Sequence, residues 1–395
     1  MSALASIPRL TAVSSIAALL LSVLLLIGGN ALIGVTTPLR ARIDGFPDLT
    51  IGLLGSAYFA GMLAGTLVAP AIIRRAGHIR AFAAFVSLAV VSVVLMPVFV
   101  WPMAWFIFRM LIGFVFAGLY AVIEAWINAK ATNANRGALY ALYQIANFSA
   151  SATGQMALQP LGPGGFSPFA VAAALLALAI VPIAMTTVDP PAQPRSVRPR
   201  LLWLIRAAPV SCVAVLAAGA ANGASFALGP VFAVDIGMTP DRAPLFTSAI
   251  VVGSALGVFP AGVISDRLDR RLVMAAVMIA GAAIEVMLSR LTGPGVALIA
   301  LGFLVGLTTY SLYTLAVSLA NDGASPQDMI FISVGLLFIY CVAAIAAPTI
   351  TSVLMRIFGP QALFLQNAYV HMAIAGFALW SLVTQPGKRK QPLRT

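Results

Sequence analysis

The chain is poor in charge. Only 9% of its 395 residues are charged, where soluble domains carry roughly 25%. Cysteine and histidine occur twice each, and acidic residues number 11. Two cysteines cannot build a disulfide framework, and no Cys/His spacing suits a metal. No Gly-x-x-x-x-Gly-Lys-Ser/Thr loop occurs, so bound ATP is not the energy source. Few His, Asp or Ser residues converge at chemical spacing, which excludes an integral membrane enzyme acting on lipid. Hydrophobic residues make up 61% instead, and the mean hydropathy is +1.02. That balance excludes a soluble enzyme and a disordered chain, and it places most residues in lipid.

A membrane-spanning helix needs about 20 apolar residues. Runs of that length lie near 12–38, 50–73, 81–100, 102–128, 137–160 and 167–187, then 208–234, 244–265, 272–290, 294–320, 328–355 and 361–384. They are continuous, whereas barrel strands would alternate over about ten residues. The expected fold is therefore all-α and integral to the membrane, with twelve spans. The first run is far longer than the roughly 7–15 residues of a signal-peptide core, so it counts as a span. Cys212 and Cys341 fall inside spans and pack as small apolar residues.

The net charge of +12 would suit nucleic acid only if the basic residues clustered on a soluble face. They do not. With the amino terminus inside, 17 of the 23 basic residues fall in inner segments, the order that keeps Lys/Arg-rich loops cytoplasmic. Both termini are expected in the cytoplasm of a bacterial inner membrane. The charge then addresses anionic inner-leaflet lipid, not nucleic acid.

The only extended polar break, Asp189-Pro-Pro-Ala-Gln-Pro-Arg-Ser-Val-Arg-Pro-Arg200, is rich in helix-breaking proline. It yields an amino-terminal bundle over 1–188, a linker over 189–207, a second bundle over 208–385 and a basic tail over 386–395. The bundles repeat. Ser56, Ala57, Gly61 and Gly65 recur as Ser248, Ala249, Gly253 and Gly257 at an offset of 192, and Asn30 recurs as Asn222. Gly113, Leu119, Tyr120 and Asn128 recur as Gly306, Leu312, Tyr313 and Asn321 at 193. Two parallel six-span repeats are a transporter architecture, with the solute site at mid-membrane between the halves. The Gly-xxx-Gly pairs let helices pack closely.

Further motifs carry a resemblance. Gly262-Val-Ile-Ser-Asp266-Arg267-Leu-Asp269-Arg270-Arg271 lies between spans eight and nine, and a weaker copy, Pro70-Ala-Ile-Ile-Arg74-Arg75-Ala-Gly77-His78-Ile-Arg80, lies between spans two and three. Span four carries Arg109-x-x-x-Gly113-x-x-x-Ala117, and Ile123-Glu124-Ala-Trp126-Ile-Asn128 precedes Arg136-Gly137. The chain resembles the major facilitator superfamily over its full length, and is similar to a group of small bacterial permeases within it. The resemblance implies that the loop motif latches an inner gate through charge pairs and that the Arg109 signature is linked to proton coupling. In the loop copy, Asp269 replaces a usual glycine. In the first copy an arginine replaces the aspartate, which weakens that latch. The span-five antiporter signature is not present; Gly154-Gln-Met-Ala-Leu-Gln-Pro160 only echoes it.

Charges at membrane depth cost at least about 2.5–3.5 kcal/mol and so mark sites. Arg109 is the leading candidate, to hold an anionic group or tune a proton site, with snorkelling outward as the structural alternative. Glu124 is expected to pair at the inner gate with Arg75, Arg80 or Arg136. Glu285 is expected to pair with Arg290 or sit at the lipid interface. His371 is expected at the periphery and His78 in solvent. Cavity-lining candidates are Asn30, Tyr58, Tyr120, Gln144, Asn147, Gln155, Asn222, Tyr310, Tyr313 and Tyr340, with Asn30/Asn222 the foremost pair. Each serves equally well as an interhelical hydrogen bond.

The function expected is secondary transport of a small, neutral or anionic organic solute by alternating access, by a monomer with no cofactor and with a proton gradient as an available energy source. A non-transporting sensor or scaffold, and a proton-coupled drug or metabolite efflux pump, stay open.

Overall fold

The computed structural model describes residues 7–132, 135–185 and 199–384, with side chains omitted for 7–16 and 326–327. Of the expected linker over 189–207, residues 189–198 lie outside the described residues, as does the expected basic tail over 386–395, while 201–207 are helical. Every regular element among them is a helix. The first half runs α1 (Ile7–Ile43), α2 (Asp48–Ala76), α3 (His78–Leu95), α4 (Pro102–Lys130), α5 (Arg136–Met156), α6 (Leu158–Leu161), α7 (Ser167–Leu178) and α8 (Ile180–Ala184). The second runs α9 (Leu201–Ala207), α10 (Pro209–Asp235), α11 (Ala243–Arg267), α12 (Arg270–Ser289), α13 (Val296–Thr309), α14 (Leu312–Asn321), α15 (Pro326–Phe358) and α16 (Ala362–Thr384).

Among the described residues, eleven stretches are long and apolar enough to cross a membrane, with α7–α8 and α13–α14 each counting once. The expected twelfth is α5. Its 21 residues would extend about 31 Å at 1.5 Å per residue. Its sequence includes Arg136, Tyr140, Tyr143, Gln144 and Asn147, and so it is the most polar of the long helices.

The chain divides into two compact units, one of Met1–Thr36 with Gly61–Ser196 and one of Thr37–Ala60 with Val197–Thr395. The cut passes through α1 and α2. Their connected ends, residues 37–60, belong to the second unit, which a division at 189–207 alone does not give.

Glycine sets the helix spacing within each unit. A Cβ added at Gly61 would collide with the Met110 carbonyl oxygen, and one at Gly65 with that of Phe114. In the second unit, Gly253 meets Phe303 and Gly257 meets Leu307 in the same way. Met110/Phe303 and Phe114/Leu307 stand 193 residues apart, so the close α2–α4 contact recurs as α11–α13. The packing expected of these glycines is what the two units contain.

The span over 294–320 is broken. Residues Tyr310 and Ser311 separate α13 from α14. Hydroxyls compete for the backbone there: Thr308 donates to Leu304 O at 2.8 Å, Thr309 to Val305 O at 2.8 Å and Ser311 to Thr308 O at 2.7 Å. Such back-bonding loosens a helix. The matching stretch of α4 carries Phe116 and Gly118, without hydroxyls, and α4 runs unbroken.

The two loop copies turn differently. Gly77 precedes α3 at φ 83°, a left-handed conformation that favours glycine. Asp269 precedes α12 at φ −63°, and its carboxylate accepts from Arg271 N at 2.9 Å. In place of the usual glycine it supplies a side-chain cap, which Gly77 does not. Asp269→Ala is expected to lower stability by about 1 kcal/mol, read as a lower thermal midpoint of the detergent-solubilised chain; an unchanged midpoint would remove the capping role.

Candidate functional site

Each unit contributes its own polar face. In the first, α4 carries Arg109 and Glu124. Arg109 lies seven residues beyond Pro102, about 10 Å of rise. It is 3% exposed, and the residue is engaged. It does not snorkel to the surface, since it is buried. Glu124 is exposed within the unit and lies within electrostatic range of Tyr140 and Tyr143 on α5. Tyr143 hydrogen-bonds Asn147 one turn on, and the Tyr140 hydroxyl donates to Asn128 Oδ1 at 2.9 Å. Among the described residues no ion pair joins Glu124 to Arg75, Arg80 or Arg136. The α4–α5 face is thus a set of phenols and amides around one carboxylate.

The other first-unit candidates are dispersed. Asn30 is buried at 7% exposure and engaged. Tyr120 packs on Phe116, ring centroids 6.1 Å apart. Gln155 is buried, and Gln144 is exposed. His78 is buried at 2% exposure. Its expected place in solvent is corrected: Gly77 turns the chain so that α3 begins at His78, and the imidazole is enclosed.

The second unit gathers its candidates more closely. Asn222 on α10 lies within side-chain interaction range of the phenol of Tyr340 on α15. The Tyr340 ring meets Tyr313 of α14 edge-on, centroids 5.4 Å apart. Tyr310, at the α13–α14 break, is within electrostatic range of Tyr340. One amide and three phenols from three spans thus converge. Tyr58, from the 37–60 segment, is placed differently: it packs on Phe59 and on Phe226 of α10, at 5.4 and 5.6 Å.

Two ion-pair groups occupy opposite ends of the second unit. At the α10–α11 end, Arg42 pairs with Asp48 and, at 2.7 Å, with Asp235. Arg42 and Asp235 are 193 residues apart, one position off the 192 offset that relates Asn30 to Asn222. Ser56 Oγ and Thr349 Oγ1 lie 2.7 Å apart. At the α11–α12 turn, Arg270 pairs with Asp266 and with Asp322 after α14, each at 2.9 Å. Arg271 pairs with Asp269 at 3.1 Å and donates to the Ser381 carbonyl of α16 at 2.9 Å. The loop motif therefore clamps α11, α12, α14 and α16 into one end; Arg267 enters none of these pairs. Among the described residues, Arg74, Arg75 and Arg80 of the first copy form no ion pair.

Glu285 and His371 are placed against expectation. Glu285 Oε2 lies 2.8 Å from His371 Nδ1, and both side chains are 1% exposed. Arg290 is not the partner, and neither residue is at the lipid interface. α12 packs lengthwise on α16, and this brings the two groups together. The same face of α16 carries Asn367, one turn earlier, whose Nδ2 donates to Ser225 Oγ of α10 at 3.0 Å. No local spacing signals this pair; only the scarcity of His and Glu in apolar runs could have suggested it.

An apolar groove of about 680 Å³ opens along α11–α13, lined by Pro260, Ile264, Leu272, Val277, Leu307 and Thr308. It offers a solute little beyond one hydroxyl.

The Major Facilitator Superfamily model matches residues 19–209 and again 210–395. An uncharacterized MFS-type transporter of Yersinia pestis (strain Pestoides F) is 25% identical over 382 residues, covering 95% of this chain and 96% of that one. One from Enterobacter sp. (strain 638) is 24% identical over 380 residues, covering 95% and 97%. Among solved structures, the nucleoside transporter NupG is similar at a TM-score of 0.80 and 12% identity, covering 93% of this chain and 99% of that one. A bacterial homolog to the human lysosomal transporter Spinster, inward-facing and occupied, gives 0.78 and 14%, covering 95% and 98%. The double match follows the repeat that Gly61/Gly253 and Asn30/Asn222 mark, and with it the chain belongs to the Major Facilitator Superfamily.

Proposed function

We propose that this membrane transporter carries a small, polar, neutral or anionic organic solute by alternating access, driven by a proton gradient. The observation that carries the reading is the convergence of Asn222, Tyr340, Tyr313 and Tyr310 within the second unit. Solute sites use a few placed polar groups among apolar and aromatic walls, and this set supplies directional donors, acceptors and ring faces. Arg109, a buried cation, favours an anionic or neutral solute, and neither α1 nor the membrane-embedded part of α10 offers a carboxylate to a cation. The chain works as a monomer in the bacterial inner membrane with both termini cytoplasmic, and its basic segments meet anionic inner-leaflet lipid.

The test is flux in proteoliposomes across a panel of labelled nucleosides, sugars and organic acids, with and without a pH gradient. Accumulation of a panel member that stops when the gradient is collapsed is expected. Sustained null flux would favour a sensor or scaffold and defeat the proposal. With a transported solute in hand, Asn222→Ala is expected to lower its apparent affinity about tenfold, the loss of about 1.4 kcal/mol, with expression unchanged. Wild-type affinity in that variant would take Asn222 out of the solute wall.

A further inference from the structure

Glu285 and His371 form the most deeply buried pair of titratable groups found among the described ion pairs, and they belong to no motif of the sequence. Burying a carboxylate alone is costly, and an apolar pair of the same volume is often at least as stable. A stability role therefore explains the pair poorly. A carboxyl and an imidazole in contact hold one proton between them without net charge, whichever atom carries it. A second proton makes the pair cationic, and losing the first makes it anionic.

The local geometry leaves room for that change. Glu285 Oε2 is taken up by His371 Nδ1 at 2.8 Å, while Glu285 Oε1 and His371 Nε2 have no hydrogen-bond partner. Each residue therefore keeps one buried polar atom without a hydrogen-bond partner among the described residues. Asn367, one turn away on α16, also has its Oδ1 unpartnered. Phe364, Phe232 and Phe246 stack against one another two turns from His371, with centroids 4.8 to 5.9 Å apart.

The groups facing the pair are few. From the α13–α14 break, Tyr310 is within electrostatic range of Glu285. From α10 comes the neutral Ser225–Asn367 bond, and from α15 the Thr351–Gln366 bond at 2.9 Å. The cations and acids of neighbouring elements sit at helix ends: Arg270, Arg271, Asp266 and Asp269 at one, Arg356 and the exposed Arg290 at the other. Tyr369 of α16 is 75% exposed. Only Tyr310 leads inward, and it is within electrostatic range of Tyr340, the partner of Asn222.

We infer that Glu285 and His371 together form a proton-binding site inside the second unit, connected through Tyr310 and Tyr340 to the Asn222 face. The proton belongs to the pair and not to either residue alone. This rests on the transporter reading for its use, but its test does not. The chain has two histidines, so full-length protein labelled with 15N-histidine and carrying His78→Asn reports His371 alone. Its ring signals, recorded from about pH 5 to 9, are expected to differ between the wild type and Glu285→Gln, which keeps the side chain's shape but cannot share the proton. Infrared difference spectra over the same range should show a carboxyl band that Glu285→Gln removes. If Glu285→Gln does not give monodisperse protein, Glu285→Asp is read in its place. A His371 signal and a carboxyl region both unchanged over that range, or His371 signals indifferent to residue 285, would overturn the site. A transported solute whose accumulation follows the pH gradient in wild type is expected to equilibrate without accumulating in Glu285→Gln. Gradient-driven accumulation persisting in that variant would also overturn the site.

Discussion

Gly61→Val and Gly253→Val are each expected to abolish recovery of folded protein, while Gly262→Ala leaves it intact. At both first positions the added Cβ would land on a carbonyl oxygen of the facing helix, Met110 or Phe303, at a separation real Cβ atoms do not show. A side-chain tip can swing away, but a helix carbonyl cannot without moving its helix. Separating α2 from α4 would also open the Gly65–Phe114 contact one turn on. Overpacking ordinarily costs about 1–3 kcal/mol, and a clash with rigid backbone on two successive turns lies above that range. In lipid there is little hydrophobic force between helices to restore the contact; close packing itself is the adhesive. Gly262 is the internal control. It opens the loop motif, yet an added Cβ there meets nothing within 4 Å, and alanine is the better helix former by about 1 kcal/mol. Size-exclusion profiles and thermal midpoints of the full chain in mild detergent read all three. A monodisperse Gly61→Val would show that α2 and α4 do not approach as described.

Those glycines show what a sequence of this kind reveals. Apolar runs announce spans because lipid demands about 20 apolar residues from each, and the helices follow them closely. The 192–193 offset announces the repeat because equal positions meet equal packing demands. The pairing of Arg42 with Asp235 is not given by the offset of 192, which sets Arg42 against Val234. Partner choice across spans was not legible. Both glutamates of the chain, Glu124 and Glu285, lie in apolar helices, and a reading by distance along the chain offers Arg136 or Arg290 as partners. Packing decides otherwise: α12 lies along α16, so Glu285 meets His371, and Glu124 stands by phenols of α5. His78 was misplaced for a similar reason. A loop position suggests solvent, but α3 starts at that residue and encloses the ring. The polar set Asn222–Tyr340–Tyr313 was legible as candidates one by one, and only the fold joins them.

Arg109→Ala is expected to lower solute flux by at least about 100-fold, a barrier change of about 2.7 kcal/mol. A guanidinium 3% exposed in a membrane helix is a costly group to bury, and the residue is engaged. Removing it takes away the interactions this residue makes and the packing of its long stem. That alone would lower stability, so flux must be separated from folding. Arg109→Lys does this. It keeps the charge but exchanges the planar five-donor fork for a flexible ammonium with three donors. If Arg109 only braces α4, Arg109→Lys should lower the thermal midpoint and leave the flux of each folded molecule unchanged. If it presents its fork to an anionic solute or tunes a proton site, Arg109→Lys should retain the midpoint more nearly and lose at least about tenfold in gradient-driven flux. Solute exchange without a gradient then divides the two remaining roles. Exchange that falls with coupled flux assigns Arg109 to the solute, whereas exchange that survives assigns it to the proton. In the second case its effect should not add to that of Glu285→Gln, because one proton pathway can be interrupted only once. Full additivity would instead mean that the two residues serve separate steps of the cycle.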